Sequence, residues 1–154
     1  MNDAVSPGRN RRLLARFAEL LSANRFDALG EVVDEDVVQE MPQSGERVRG
    51  LANVRAIFEQ YPGSTQVGFQ TEAVRIVAEE PRYVMTPTFN LVHVEGTGDT
   101  AVAVLKSHYP DGSLWHVIVF LTIRDDKIVR QTTYYAPAFP APEWRASLVE
   151  RMDD

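Results

Sequence analysis

A chain of 154 residues with 44% hydrophobic and 25% charged content is long enough for one domain with a substantial core. Its formal net charge of −6 disfavours nucleic acid or an anionic membrane as a partner. The absence of cysteine excludes disulfides, thiolate catalysis and cysteine metal sites, without fixing a compartment. Residues 1–10 are polar with no apolar signal-like run, and no apolar stretch approaches a membrane span, so a cytoplasmic protein is expected.

Ser6-Pro7-Gly8 are breakers, and residues 1–10 are expected to form a disordered lead-in to a single domain over 11–154. From Arg11 to Ala23, Leu13, Leu14, Phe17, Leu20 and Leu21 fall on one helical stripe, with Asn24 as the stop. A second short helix is expected over Phe26–Val33. The acidic run Asp34-Glu35-Asp36 has the look of a metal site but reads better as a solvated turn, because Asp and Glu prefer the surface. Val37–Met41 is a short strand closed by Pro42, and Gln43-Ser44-Gly45-Glu46 is a loop leading to Gly50. A third helix, Leu51–Tyr61, is ended by Pro62-Gly63.

Strands are expected at Val67–Ala78 and at Tyr83–Val94, the latter with Pro87 marking a bulge or an edge. Glu95 to Asp99 is a loop whose Gly-x-Gly precedes no helix and so cradles no phosphate. Thr100–Tyr135 then reads as three consecutive strands joined by tight turns at Pro110-Asp111-Gly112 and Asp125-Asp126. After a proline-rich extended segment, Glu143–Met152 is expected to be a helix striped by Trp144, Leu148 and Met152. This tail would lie across the body or reach a partner subunit. Helices at the front of the chain before a run of strands argue α+β.

This order, together with Asp-Glu-Asp-Val-Val-Gln-Glu-Met-Pro over 34–42, Gly50 opening a helix, and the final Asp-Lys-Ile-Val-Arg-Gln-Thr-Thr-Tyr-Tyr over 126–135, resembles the nuclear transport factor 2-like superfamily, most of all its SnoaL-like branch. The resemblance spans about residues 11–145 and implies a cone: a curved antiparallel sheet wrapped around N-terminal helices, with a cavity between. Its members include polyketide cyclases, steroid isomerases, epoxide hydrolases and non-enzymatic binding modules, and fold does not choose among them.

The Pro-Asp-Gly turn sets a register. A three-residue hairpin loop with Gly in the left-handed position pairs Tyr109 with Ser113. Ser107 then pairs with Trp115, Leu105 with Val117 and Ala103 with Val119, all on one face. Lys106, His108 and His116 share the other face with Val102, Val104, Ile118 and Phe120. The first face, apolar with one hydroxyl, is assigned to the cavity. The second suits a homodimer contact better than catalysis. The resemblance to epoxide hydrolases turns Gln131, Thr133 and Tyr135 into the cavity as well. Matching the Met-Pro pair to those hydrolases places Glu40 there, whereas matching the position directly before Pro, as in the steroid isomerases, places Met41 there instead.

The Asp-Arg-Asp set of those hydrolases falls on Leu105, Ala103 and Thr133, which cannot perform that chemistry. Glu40 is the one candidate catalytic residue. Inside an apolar cone its pKa would rise toward that of a general base. Alternatively it points outward and pairs with an arginine such as Arg47 or Arg49, the commoner fate of a carboxylate. His93, His108 and His116 lack metal-ligand spacing, so no metal and no cofactor is expected. Ser107 has no histidine on its face to activate it. Met41, Phe69 and Phe89 read as core.

Two main functions stand. One is a module binding a small apolar molecule against Met41, Ala103, Leu105, Ser107, Trp115, Val117, Val119, Gln131, Thr133 and Tyr135. The other is a cofactor-independent lyase or isomerase with Glu40 as base. A third is a dimeric structural subunit.

Overall fold

The computed structural model describes residues 8–64, 66–78 (of 71–78 the backbone) and 100–152. Helix α1 (Arg9–Ser22) starts two residues earlier than the stripe suggests, at Gly8, and buries Leu14, Phe17, Ala18, Leu20 and Leu21. Each buried leucine or phenylalanine among these contributes about 1.5–3 kcal/mol. Asn24 does end it, with a left-handed φ of 54°, a conformation that Asn tolerates better than most residues.

The next element is a 3₁₀ helix over Phe26–Glu31, shorter than expected. Val33 is claimed instead by strand β1 (Val33–Met41), where it pairs with Ile128. Strand β1 is therefore longer than its apolar end implies and takes in the acidic run. Between Val33 and Val38 it advances five residues while its neighbour advances two. Asp34 to Asp36 thus sit on a bulge, where the Asp36 N–H donates to Asp34 Oδ1 at 2.9 Å.

Strand β2 (Glu46–Arg49) stands where a loop is expected. It holds a single apolar residue, so its pattern is weak, and its place follows from antiparallel pairing with β1, Glu40 facing Arg47. Helix α2 (Leu51–Gln60) follows, with Val54 buried. Strand β3 (Gln70–Ala78) begins three residues later than the alternation suggests. The delay has a local cause: Asn24 donates from Nδ2 to the Phe69 carbonyl at 3.1 Å and accepts from the Phe69 N–H at 2.7 Å. Gly68, with φ of 75°, fits against that amide. A Cβ there would meet Asn24 Oδ1 and Nδ2 at 2.8 Å. The strand expected over 83–94, with Pro87, Phe89 and His93, lies outside the described residues.

Strands β4 (Thr100–His108), β5 (Leu114–Arg124) and β6 (Lys127–Pro137) form the long meander expected. The first turn closes as the residues dictate: Tyr109 N–H donates to the Ser113 carbonyl at 2.9 Å and Gly112 N–H to the Tyr109 carbonyl at 2.8 Å. Gly112 takes φ of 83°. The register is Ser107 with Trp115, Leu105 with Val117, Ala103 with Val119 and Lys106 with His116. At the second turn Asp125 and Asp126 both take positive φ, 48° and 60°, the mirror-image geometry that suits a twisted hairpin. A one-residue shift near Thr122 and Ile123 lets Ile128 and Gln131, three apart on β6, both turn inward.

The described strands make one sheet in the order β2-β1-β6-β5-β4-β3. Its pairings are antiparallel except β1 with β6, which run parallel. The first strand thus returns beside the last. Helix α1 packs on β3 and β4, and α2 on β1, so one face of the sheet is covered. The core runs between them through Val33, Val37, Ala101, Ala103, Leu121, Ile123 and Ile128.

The tail corrects an expectation. The helix over 143–152 is a 3₁₀ turn at Glu143–Leu148 with no buried residue. Trp144, Leu148 and Met152 are 78%, 79% and 95% exposed, so the segment does not lie across the body of this chain. Among the described residues no helix is long and apolar enough to cross a membrane.

Candidate functional site

Between the covered face of the sheet and the helices lies a cavity of about 380 Å³, within the usual range for small-molecule sites, about 300–1,000 Å³. From the sheet it is lined by Leu105, Ser107, Trp115, Val117, Val119, Gln131, Thr133 and Tyr135. Met41 completes the expected set. Ala103 does not join it: it is 2% exposed and belongs to the core beyond the cavity floor. The cavity-facing parity follows from the hairpin register, since alternate residues of a strand share a face.

The cavity has two ends of different chemistry. One is aromatic. Tyr109 and Trp115 stack with centroids 5.3 Å apart, and Phe26 stacks on Phe58 at 5.1 Å. Phe69 stands edge-on to both Tyr61 and Tyr109 at 5.1 Å. The Pro-Asp-Gly turn holds the indole in place: Trp115 Nε1 donates to Ser113 Oγ at 2.8 Å, and the Ser113 hydroxyl donates to Asp111 at 2.5 Å.

The other end is polar. Gln39, on β1, is buried and donates from Nε2 to the Tyr135 hydroxyl at 3.4 Å, a long bond. Gln131 lies beside Gln39 across the parallel ladder. Gln131 Nε2 and Thr133 Oγ1 are buried with no hydrogen-bond partner among the described residues. Thr133 is close enough to the Tyr135 phenol to favour its ionised form, yet no well-formed hydrogen bond joins them. Tyr135 is anchored by its backbone, which gives its N–H to Gln43 Oε1 at 2.5 Å and accepts from Gln43 Nε2 at 2.7 Å.

The ionisable side chains among the described lining residues are Tyr61, Tyr109 and Tyr135. Burial pushes all three phenols up, that of Tyr109 furthest. Each is therefore neutral near pH 7 and offers a donor, never a base.

Glu40 has a different fate from the one its candidacy as a base required. It lies on the face away from the cavity, where its carboxylate accepts from Arg130 at 2.8 Å and from Arg47 at 2.9 Å. Those guanidinium hydrogen bonds, Arg130's first, hold its carboxyl below the usual carboxylate range despite some desolvation. A general base needs the opposite shift. Strand alternation makes this unavoidable once Gln39 and Met41 face inward.

Gln39, Tyr61 and Tyr109 escaped the sequence reading. The signal for Gln39 was its parity with Met41 and Val37, blurred because Val38 is as apolar as Val37. His108 and His116 are exposed on the outer side. Among the described residues no group of three or more His, Asp or Glu is placed to hold a metal ion.

A comparison with curated proteins returns no significant match. Among solved structures, an NTF-2-like protein of unknown function from Burkholderia xenovorans is 26% identical, covers 96% of this chain and 98% of its own, and superposes with a TM-score of 0.69. A proposed ketosteroid isomerase from Kribbella flavida is 24% identical over 95% and 91%, with a TM-score of 0.68. An epoxide hydrolase of the LEH-like type from M. tuberculosis is 18% identical over 81% and 80%, with a TM-score of 0.56. The last two likenesses speak for the α+β cone fold alone. A family model described as a SnoaL-like domain matches residues 14–131. The chain therefore belongs to the SnoaL-like domain family, within the NTF2-like superfamily.

Proposed function

We propose that this protein binds a small, largely apolar molecule in the cone cavity. The observation that carries the reading is the composition of the cavity wall: aliphatic and aromatic side chains, a few amide and hydroxyl groups, and no described ionisable group but neutral phenols. Such a wall favours burial of apolar surface, and its few polar groups fix orientation. Acid–base catalysis would need a proton acceptor with a pKa near the working pH, which Glu40 no longer supplies. The test is fluorescence titration with the uncharged probe N-phenyl-1-naphthylamine, comparing the wild-type protein with Val119→Trp, which fills the cavity. Saturable binding that Val119→Trp abolishes, with circular dichroism unchanged, is expected. Equal binding by both proteins sinks the reading.

A homodimer formed through the outer sheet face is part of the proposal. Ile118, Phe120 and Tyr134 keep 38%, 48% and 40% of their exposure there, and Phe120 and Tyr134 meet edge to face at 6.1 Å. An aromatic pair beside an exposed isoleucine, open to water on a sheet face, favours a partner. Sedimentation equilibrium decides it, and a monomeric mass across the micromolar range removes it.

A further inference from the structure

We infer that Gln131 and Thr133 form a recognition subsite for an uncharged acceptor oxygen, of the carbonyl class, on an otherwise apolar, ring-bearing ligand; this rests on the cavity being a binding site. Two observations carry it together. Gln131 Nε2 and Thr133 Oγ1 make no well-formed hydrogen bond with the described residues, the Tyr135 hydroxyl near Thr133 included, and their residues are 4% and 3% exposed while lining the cavity. Buried polar groups are nearly always satisfied, and leaving one unmade is costly. Packing does not demand them, because valine matches threonine in shape and leucine approximates glutamine. Their polarity therefore points to a group that arrives from outside the chain.

Position supports a single target. The two residues are two apart on β6 and project from the same face, about 6–7 Å apart along the strand. The longer glutamine side chain closes most of that gap. The amide nitrogen donates, and the threonine hydroxyl donates or accepts, so an oxygen with two lone pairs satisfies both. A carboxylate fits poorly. No lysine, arginine or histidine is among the described lining residues, and an ionised group without a counter-charge is strongly disfavoured in such a place. The stacked rings at the opposite end, Tyr109 on Trp115 and Phe26 on Phe58, favour a flat ring system.

The test uses three probes that share a ring: 2-acetylnaphthalene, 2-ethylnaphthalene and 2-naphthoate, each titrated by calorimetry. Wild type should bind the ketone about tenfold more tightly than the hydrocarbon, and the carboxylate least. Thr133→Val and Gln131→Leu should each bring ketone and hydrocarbon to near-equal affinity without weakening the hydrocarbon. Thr133→Ser, which restores the hydroxyl, should keep the preference and so excludes misfolding as the cause. Equal binding of ketone and hydrocarbon by wild type overturns the subsite and leaves the cavity reading standing; the two atoms then serve resident water. Failure of all three probes to bind overturns both readings.

Discussion

On β5 the neighbours Val119 and Phe120 have opposite surroundings. Val119 is 3% exposed and lines the cavity, whereas Phe120 is 48% exposed and faces outward. The same alternation runs through β4 and β6. Inside are Leu105, Ser107, Gln131 and Thr133; outside are Lys106, His116, Arg130 and Tyr134. The inner face holds polarity without charge, and the outer face holds the charge and also spare aromatic surface. A strand can do both because its side-chain period is two. The functional reading consequently depends on register, and a one-residue slip would exchange cavity wall for contact face.

The largest expected effect comes from moving charge across that divide. Leu121→Asp places an unpaired carboxylate in the core, where Leu121 is 2% exposed. A loss of about 4 kcal/mol or more is expected by urea denaturation, among the severest outcomes for one substitution. Phe120→Asp, one residue away, loses mainly the ring pair with Tyr134, about 1 kcal/mol. It should also weaken any self-association seen by sedimentation. Similar losses from the two substitutions would break the two-face description.

The next effect tests how the helices fix the cavity rim. Asn24 spends both ends of its amide on the Phe69 backbone, and Phe69 is part of the aromatic end. Asn24→Ala removes two hydrogen bonds, each worth about 0.5–1.5 kcal/mol net, and leaves alanine in a left-handed conformation costing about 1–2 kcal/mol. A total near 3 kcal/mol is expected by chemical denaturation. Asn24→Gly removes the strain and should recover the smaller part.

These two tests differ in how far the sequence foretold them. The meander was legible because the Pro-Asp-Gly turn is local: its residue types force one loop length, and the loop forces every pair from Ser107–Trp115 to Ala103–Val119. The grip of Asn24 on Phe69 joins residues far apart in the chain, and no local pattern records it. The same holds for Glu40. Whether Glu40 or Met41 faced the cavity depended on parallel pairing of β1 with β6, a contact across most of the chain. Two adjacent valines, Val37 and Val38, hid the parity that would have settled it. Strand β2 was missed because Glu46-Arg47-Val48-Arg49 gains its strand character from β1, through the Glu40–Arg47 pair, and not from its own apolar residues. The tail misled for the reverse reason: Trp144 and Leu148 share a helical stripe, but a stripe folds onto a body only where a surface receives it.

Glu40 offers a smaller, pH-dependent test of the outer face. Its folded pKa is lowered, first by the Arg130 hydrogen bond. A group with a depressed folded pKa contributes stability above its unfolded pKa, and that contribution fades as pH falls through the folded value. Glu40→Gln should therefore reduce stability at pH 7 and have little effect at pH 2–3, so that the two stability profiles converge in acid. The effect will be modest, since both arginines are half exposed and water screens the pairs. Added salt should shrink it further. An unchanged difference from pH 7 down to pH 2 would mean that Glu40 acts through packing and not through charge.

The smallest effect on the monomer belongs to the C-terminal arm. Phe139, Trp144 and Leu148 are 75%, 78% and 79% exposed, so within one chain they bury little. The last ladder bond runs from Ala138 N–H to the Leu114 carbonyl at 2.9 Å, which marks where the sheet's hold on the chain ends. Deleting residues 140–154 should change the unfolding free energy of dilute protein, read by urea denaturation, by less than about 0.5 kcal/mol, the range for surface changes away from packed features. A second copy changes the expectation. If the arm reaches a partner, its aromatic side chains become buried only in the assembly, and apparent stability then depends on protein concentration. Unfolding of the full chain should then shift upward with concentration more steeply than that of the truncated chain. Equal concentration dependence in the two chains would leave the arm without a partner and confine any self-association to Ile118, Phe120 and Tyr134.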